Sequence, residues 1–285
     1  MNYKLDDVPS KVCRWLDIHH TLECGQVFRY NKLQPNLYVL LSCDKWCVAE
    51  QNCDHVILHS HDLDYFEQYL DLHTDYDNIE TYLSQYAELS LPIQHCKGLH
   101  ILRQNLLETI VSFVVSANNN IRRIKNTLNC MCSKYGEHIF VVDRSDIQHE
   151  YCLFPSLDKL CDIDILDWRV FGAGYRANYL VETCHNVSKN NILQRLPNMS
   201  YDQAMDTLLS LKGVGDKVAN CIALFGLHNC ASFPVDTWIF KSLRTNTLDT
   251  KHKVYQYYTD RYGDYGGVAQ QYIFYYNRTL SKLAI

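Results

Sequence analysis

The sequence has no long hydrophobic run. Hydrophobic residues make up 47% of its 285 residues, but no stretch reaches the roughly 18 apolar residues of a membrane-spanning helix. Residues 1–7 also lack the apolar core of a signal peptide and the arginine-rich, acid-poor character of a transit peptide. We therefore expect an intracellular protein that has no signal peptide and does not enter a membrane.

The sequence also lacks the ligand spacings of common metal sites. Its 13 histidines include no His-Glu-x-x-His motif, and Cys43, Cys47, Cys53 and His55 contain no compact Cys-x-x-Cys pair. Alternation along strands would send some of these four side chains to opposite faces. The 13 cysteines, found without a secretion signal, therefore indicate mostly buried thiols in a reducing compartment.

A basic overall charge, which is typical of DNA-binding domains, is missing because the formal net charge is −5. The acidic residues, however, crowd one N-terminal region between Asp44 and Glu80. Basic residues fall in or beside the motifs described below: Arg122, Arg123, Lys125, Arg176, Lys212, Lys217, Lys241 and Arg244. A local basic face can bind a polyanion on an acidic protein, although the global charge lowers the expected non-specific affinity.

Two periodicities divide the chain. Short β-branched or aromatic runs at residues 27–30, 37–42, 46–49 and 55–59 are separated by polar turns, which predicts an antiparallel sheet. Residues 106–115 are apolar on nearly all sides and predict a buried helix, and another helix begins after three asparagines at 118–120. The fold class is therefore α+β, with a small antiparallel sheet domain over residues 1–97 and a mostly helical region over 98–285.

The segment from Leu211 to Cys221 reads Leu-Lys-Gly-Val-Gly-Asp-Lys-Val-Ala-Asn-Cys. We predict a helix that ends near Leu211, a tight turn at Gly213 and Gly215, and a second helix over residues 216–225. The free N–H groups and the positive dipole end of that second helix form a phosphate site without any basic side chain.

Two ionisable residues follow this turn. Lys217 lies one turn before Cys221, and Asp236 is a candidate N-cap because it directly precedes a helical pattern. Gly-Val-Gly-x-Lys followed by Pro-Val-Asp resembles the helix-hairpin-helix glycosylase superfamily, and the matches from about residue 22 to 274 resemble its 8-oxoguanine DNA glycosylases. The resemblance implies that Lys217 and Asp236 are catalytic residues in a cleft between two helical subdomains.

The resemblance also implies a pocket for a base flipped out of the duplex. The backbone carbonyl of Gly25 would accept the N7–H that oxidation at C8 creates, and Gln270 would read the Watson–Crick edge. The base would lie between Cys221 and Phe274. Without the resemblance, Gly25 fits a bulge or a turn, and Phe274 fits a core position.

Two further segments resemble DNA-contacting parts of the family. In Ser-Ala-Asn-Asn-Asn-Ile-Arg-Arg, Asn118 would fill the space that the flipped base leaves and Arg123 would contact the opposite base. In Gly-Tyr-Arg, Tyr175 would wedge beside that opposite base and Arg176 would pair with it. Without the resemblance, the first segment is a polar turn between helices and the second is a helix start with a packed tyrosine.

Two positions depart from the family pattern. Lys212 stands where the hairpin usually has proline, and Trp238 stands where a DNA-contacting histidine is common. Because Trp238 carries no charge and donates one hydrogen bond, we expect the preference for nucleotide or lesion to differ from that of better-known members.

The resemblance implies an enzyme without an organic cofactor, with a candidate cation site at the backbone carbonyls of Leu211 and Val214. No cysteine follows Cys230, so the four-cysteine iron–sulfur cluster of endonuclease III-like relatives is not expected. The expected partner is duplex DNA that contains oxidised guanine, and the protein is expected to be a monomer.

The function that these features favour is a bifunctional DNA glycosylase and β-lyase. It would excise 8-oxoguanine through a lysine Schiff base and then nick the strand by β-elimination. One alternative is a helix-hairpin-helix glycosylase for another oxidised base. Another is a non-catalytic hairpin module that binds duplex DNA, in which Lys217 and Asp236 would occur together by coincidence.

Overall fold

The structure, a computed structural model, describes residues 2–283. The strands are β1 (Asn2–Lys4), β2 (Ser10–Arg14), β3 (Tyr30–Gln34), β4 (Leu37–Ser42), β5 (Lys45–Gln51), β6 (His55–His59), β7 (His138–Val142) and β8 (Gln148–Cys152). The helices of the first part are α1 (Ile18–Glu23), α2 (Leu63–Tyr69), α3 (Tyr76–Leu83), α4 (Ser90–His95), α5 (Leu106–Ser116) and α6 (Ile121–Tyr135). The later helices are α7 (Leu157–Cys161), α8 (Ile165–Val170), α9 (Arg176–Lys189), α10 (Ile192–Arg195), α11 (Tyr201–Leu209), α12 (Asp216–Phe225), α13 (Thr237–Leu243), α14 (Lys251–Tyr262) and α15 (Gly266–Leu283).

An antiparallel sheet in the order β2-β6-β5-β4-β3 forms the N-terminal part, so the predicted sheet is confirmed. β4 and β6 have the predicted bounds, whereas β3 begins at Tyr30, where the predicted strand ends. The reason is a loop that Gln26 holds, since its side chain hydrogen-bonds the backbone of residues 21, 100 and 102. Val27 and Phe28 are therefore buried in this loop rather than in a strand.

β4 and β5 lie between two hydrophobic cores, because successive side chains of a strand point to opposite faces. Tyr38 and Leu40 belong to a core shared with α1 and α2. Val39 and Leu41 belong to a second core shared with β7 and β8. The two strands therefore read as nearly continuous hydrophobic runs rather than as alternating patterns.

A second sheet, in the order β1-β7-β8, was not expected from the sequence. β1 pairs with β7 in parallel, with Asn2 opposite Phe140, and β7 pairs with β8 antiparallel. β7 and β8 lie within the region predicted to be mostly helical. Their burial depends on β4 and β5 and on a partner strand at the other end of the sequence, which local periodicity does not detect.

The helical part is built around α5, which is buried along almost its whole length, as predicted. It packs against α6, α9 and α12. The Phe113 ring of α5 stacks on the Phe225 ring of α12 with 5.5 Å between centroids. The second helix of the predicted hairpin is therefore anchored on the centre of the core.

The core also includes helices that precede residue 97. Ile79, Leu83 and Ile93, on α3 and α4, pack in the same core as α12 and α15. Cys24 and Phe28 also belong to this helical core, whereas Leu102 belongs to the core of the sheet, so the two cores alternate along the sequence. A domain boundary at residue 97 stays a prediction.

Close to the end of α12, an ionic cluster around buried Asp71 joins the N-terminal part, which contains the sheet, to the helical part. The carboxylate of Asp71 accepts hydrogen bonds from Arg103 Nε at 2.6 Å and from the Tyr76 hydroxyl at 2.9 Å, and it lies 3.3 Å from His228 Nε2. Burial lowers the pKa of His228, but hydrogen bonds with Asp71 and Cys230 and the charge of Asp71 outweigh it and raise the pKa to about 9. The charged pair therefore ties the loop after α12 to the loop after α2.

Among the helices that the structure describes, none has the length and apolar character needed to cross a membrane. All 13 cysteines are free thiols.

Candidate active site

The predicted helix–turn–helix hairpin is present. α11 begins after Ser200, which forms a capping box with Gln203, and it ends at Leu209, two residues earlier than expected. α12 spans Asp216–Phe225 as predicted. The turn between them brings the N-terminus of α12, with its free backbone N–H groups, to the edge of a cleft.

The two glycines of the turn have different roles. Gly213 has φ +80°, and a Cβ there would lie 2.7 Å from Cδ2 of Tyr179 on α9. Gly215 is the N-cap of α12 with φ −107°, and apart from the residues next to it in the chain, no heavy atom of the described residues lies within 4 Å of a Cβ built on it. Gly213 is thus required by backbone conformation and packing, whereas Gly215 leaves the helix N-terminus uncovered.

Lys217 lies in the first turn of α12, with its Nζ 5.2 Å from the centroid of the Phe113 ring. Burial raises the pKa of the Cys221 thiol, and the charge of Lys217 and a hydrogen bond from it act in the opposite direction. The charge of Asp236 raises the pKa of Cys221 further, so the cysteine remains a neutral thiol beside the amine.

Asp236 is the N-cap of α13, as predicted. Its Oδ1 accepts a hydrogen bond from Ile239 N at 2.7 Å. This bond fixes the carboxylate at the wall of the cleft.

The cleft has a volume of about 1020 Å³. It collects six of the predicted residues from three separate parts of the chain: Asn118, Arg123, Gly213, Gly215, Lys217 and Asp236. Trp238 also lines it and is half exposed. The predicted nucleophile, carboxylate and phosphate-binding turn therefore share one solvent-accessible space.

The four predicted base-pocket residues lie outside that lining. A Cβ on Gly25, which has φ +93°, would lie 3.3 Å from Cε1 of Phe274, so the glycine and the ring are neighbours. Cys221 and Gln270 are both buried. The Oε1 of Gln270 has no hydrogen-bond partner among the described residues, which leaves an acceptor free for a ligand.

The two DNA-contacting residues predicted at the start of α9 differ in exposure. Tyr175 is exposed, whereas Arg176 is buried. The Arg176 guanidinium donates to the carbonyls of Ala117 and Asn118, at 2.6 Å each. In the protein alone Arg176 therefore holds the turn that carries Asn118, which has φ +48°. Direct pairing of Arg176 with a base stays a prediction.

The candidate cation site lies in the hairpin turn. The carbonyl of Leu211 accepts a hydrogen bond from Val214 N at 3.1 Å, which closes the turn. A carbonyl has a second lone pair, so this bond is compatible with a cation contact. Side-chain ligands do not contribute a metal site elsewhere, since no group of three or more His, Cys, Asp or Glu among the described residues could hold an ion.

Among the cleft residues that sequence reasoning missed are three from α14: Lys251, His252 and Tyr255. They lie at the start of α14, which Thr250 caps. A threonine before a Lys-His-Lys run was a usable signal of a basic helix N-terminus. The Tyr255 hydroxyl also lies 3.2 Å from that of Tyr201, which links α14 to α11.

Comparisons with known proteins agree with this architecture. Residues 10–110 match the family model described as 8-oxoguanine DNA glycosylase, N-terminal domain. A curated relative from Arabidopsis thaliana, named N-glycosylase/DNA lyase OGG1, is 34% identical over 197 residues, which is 64% of this chain and 52% of the relative. The chain thus spans about half the length of that curated protein.

Solved structures match over almost the whole chain. The 8-oxoguanine glycosylase/lyase of Clostridium acetobutylicum, in complex with double-stranded DNA containing cytosine opposite 8-oxoG, superposes with a TM-score of 0.89 at 28% identity. The match covers 97% of this chain and 99% of that one. MBOgg1 in complex with a low-affinity DNA ligand matches with a TM-score of 0.87 at 30% identity, over 95% of this chain and 96% of that one. The chain belongs to the 8-oxoguanine DNA glycosylase family of the helix-hairpin-helix superfamily.

Proposed function

We propose that this protein removes 8-oxoguanine from duplex DNA and then cleaves the strand as a β-lyase. The observation that carries the proposal is the cleft that Lys217 and Asp236 share with the hairpin turn. The complex of the Clostridium relative with DNA containing 8-oxoG supports the choice of substrate.

In the proposed reaction the target nucleotide leaves the base stack and enters the cleft. The neutral amine of Lys217 attacks C1′, the N-glycosidic bond breaks, and its electron pair leaves with the base. The sugar ring opens to a Schiff base on Lys217, which acidifies C2′. Loss of a C2′ proton then breaks the C3′–O bond, and the electron pair leaves with the 3′ phosphate.

Asp236 balances the positive charge that develops on the sugar. Its position as N-cap of α13 supports this role, because the hydrogen bond to Ile239 N holds the carboxylate at the cleft wall. The backbone N–H groups at Gly213 and Gly215 bind a DNA phosphate at the N-terminus of α12.

The flipped base enters a pocket formed by four residues: Gly25, Cys221, Gln270 and Phe274. The proximity of Gly25 to Phe274 and the free Oε1 of Gln270 support this assignment. The carbonyl of Gly25 accepts the N7–H of 8-oxoguanine, and Gln270 pairs with the Watson–Crick edge.

Four residues act on the rest of the duplex. Asn118 occupies the space that the base leaves, and Tyr175 wedges beside the opposite base. Arg123 contacts that opposite base and Arg176 pairs with it. The exposure of Tyr175 and the place of Arg123 in the cleft support these roles.

The proposed enzyme acts as a monomer in a reducing intracellular compartment, without an organic cofactor or an iron–sulfur cluster. A cation at the carbonyls of Leu211 and Val214 would share a DNA phosphate. The free state of all 13 cysteines is compatible with such a compartment.

Borohydride trapping tests the proposal. A duplex with 8-oxoguanine opposite cytosine is incubated with protein and borohydride, which reduces a Schiff base to a stable protein–DNA adduct. We expect an adduct with the wild type and with Lys212→Gln, and none with Lys217→Gln. Lys212 is a matched control because it is exposed in the same turn.

An adduct formed by Lys217→Gln would move the nucleophile to another residue. Trapping on a duplex with a different oxidised base, but not with 8-oxoguanine, would favour the alternative specificity. Binding of damaged duplex by the wild type without any adduct would favour a non-catalytic hairpin module.

A further inference from the structure

Arg278 lies against the proposed base pocket. It follows Gln270 and Phe274 on α15 at intervals of one helical turn, so the three side chains share a face. Its guanidinium carbon is 5.9 Å from the centroid of the Phe274 ring. Its Nη1 is 2.9 Å from the position that a Cβ on Gly25 would occupy.

Only some of the N–H groups of the Arg278 guanidinium have a hydrogen-bond partner among the described residues. Nη2 donates to the carbonyl of Glu23 at 3.1 Å. Nη1 is buried and has no hydrogen-bond partner among the described residues. In the part of the chain that the structure describes, no carboxylate lies within ion-pair distance of Arg278. A buried donor without a partner is unfavourable, which points to a ligand that completes it.

A second cation, Lys125, lies close enough to Arg278 and to Glu23 to interact with the charges of both. Lys125 Nζ lies 3.3 Å from the centroid of the Tyr30 ring. Burial lowers the pKa of Lys125 to about 8. The negative charge of Glu23 acts to raise this pKa, and the positive charge of Arg278 acts to lower it. The cationic donor that lies next to Gly25 is Arg278 Nη1, and because it has no partner among the described residues it favours a ligand group that carries negative charge.

We infer that Arg278 donates a hydrogen bond from Nη1 to one of the two carbonyl oxygens, O6 or O8, that flank N7 of the flipped base. The inference rests on the proposed function, in which the Gly25 carbonyl faces N7–H. When the N-glycosidic bond breaks, its electron pair stays on the base and part of the negative charge reaches these oxygens. The hydrogen bond is therefore stronger in the transition state than in the bound substrate, so it accelerates excision.

The test separates excision from the lyase step in one protein. Arg278→Met keeps most of the side-chain volume but removes the donors and the charge. Single-turnover excision is measured on a duplex with 8-oxoguanine opposite cytosine, and β-elimination is measured on a duplex with a preformed abasic site. We expect excision to slow by about 10-fold or more, whereas abasic-site cleavage stays within about twofold because that substrate has no base.

Arg195→Met is the matched control, since Arg195 is exposed at the end of α10 and does not line the cleft. Arg278→Lys retains a charge, so we expect its excision rate to lie between those of the wild type and Arg278→Met, with full lyase activity. If Arg278→Met folds poorly, Arg278→Lys tests the inference in its place. Wild-type excision by Arg278→Met would overturn the inference. A parallel fall in both steps by both Arg278 variants would also overturn it, because it would show that Arg278 only ties α15 to Glu23. If the wild type excises no 8-oxoguanine, the proposed function fails and the inference fails with it.

Discussion

Replacement of Gly213 by alanine is a direct test of the hairpin. The backbone at Gly213 has φ +80°, and the new Cβ would lie 2.7 Å from Cδ2 and 3.0 Å from Cβ of Tyr179. The left-handed conformation costs a non-glycine residue about 1–2 kcal/mol. Overpacking against α9 adds about 1–3 kcal/mol, because Tyr179 Cβ is close to the backbone and cannot move aside. We expect Gly213→Ala to lower the free energy of unfolding by about 2–5 kcal/mol in total, a large part of a typical stability of about 5–15 kcal/mol.

Gly215→Ala is the matched control for stability. Gly215 has φ −107°, and apart from the residues next to it in the chain, a Cβ there would meet no heavy atom of the described residues within 4 Å. Its free energy of unfolding should therefore change by less than about 1 kcal/mol. The added methyl group would, however, stand at the N-terminus of α12 in the cleft, where the DNA phosphate is proposed to bind. We expect Gly215→Ala to weaken binding of DNA while the fold is retained.

Urea denaturation followed by circular dichroism measures the first effect, and fluorescence anisotropy with a labelled duplex measures the second. Gly213→Ala should lower the free energy of unfolding less in a Tyr179→Ala protein than in the wild type, because the contact with the ring is then already absent. A Gly213→Ala protein as stable as the wild type would refute the assigned backbone conformation. Unchanged DNA affinity in Gly215→Ala would refute the assignment of this helix N-terminus to the phosphate.

Three other predictions follow from the site and from the ionic cluster. Asp236→Asn should slow single-turnover excision by roughly 100-fold or more, whereas thermal stability should change little because asparagine also caps helices. Near-normal excision by the folded variant would remove Asp236 from the mechanism. Arg123→Ala should cost about 1–3 kcal/mol of activation free energy opposite cytosine and less opposite adenine, so the ratio of the two rates narrows; equal slowing opposite all four bases would assign Arg123 to phosphate contact only. Since the pKa of His228 is raised to about 9 in the folded protein, its stabilising charge is fully present below about pH 6.5 and is lost as the pH rises through about 9. Thermal unfolding at pH 7 to 10 should therefore show a decrease in melting temperature that His228→Gln reduces, and an identical pH profile for both proteins would contradict the role of the pair with Asp71.

Much of the local structure was predictable from the sequence. The bounds of α12, the buried character of α5 and the N-cap at Asp236 follow from periodicity, glycine positions and capping residues. Each depends on neighbours within about four residues, and the same short range explains why the Gly-Val-Gly turn was found. Lys217 and Asp236 were singled out as catalytic candidates by the resemblance of Gly-Val-Gly-x-Lys and Pro-Val-Asp to the helix-hairpin-helix glycosylases.

Features that depend on distant parts of the chain were not predictable in this way. The sheet β1-β7-β8 requires Asn2 to pair with Phe140, and α3 and α4 joined the helical core although the pattern placed them with the sheet. Arg176 reads in the sequence as a free donor, but the fold gives its guanidinium the carbonyls of Ala117 and Asn118.

The candidate active site shows most directly what the sequence determines and what only the tertiary structure determines. The sequence by itself determined which residues are proposed to carry the chemistry, because Gly-Val-Gly-x-Lys and Pro-Val-Asp resemble the motifs of the helix-hairpin-helix glycosylases. Only the tertiary structure decided that Lys217 and Asp236 line one cleft, that Lys251 and His252 join them, and that Arg278 approaches Gly25. Those contacts arise when hydrophobic burial brings separate helices together, and burial depends on the whole chain rather than on any one segment.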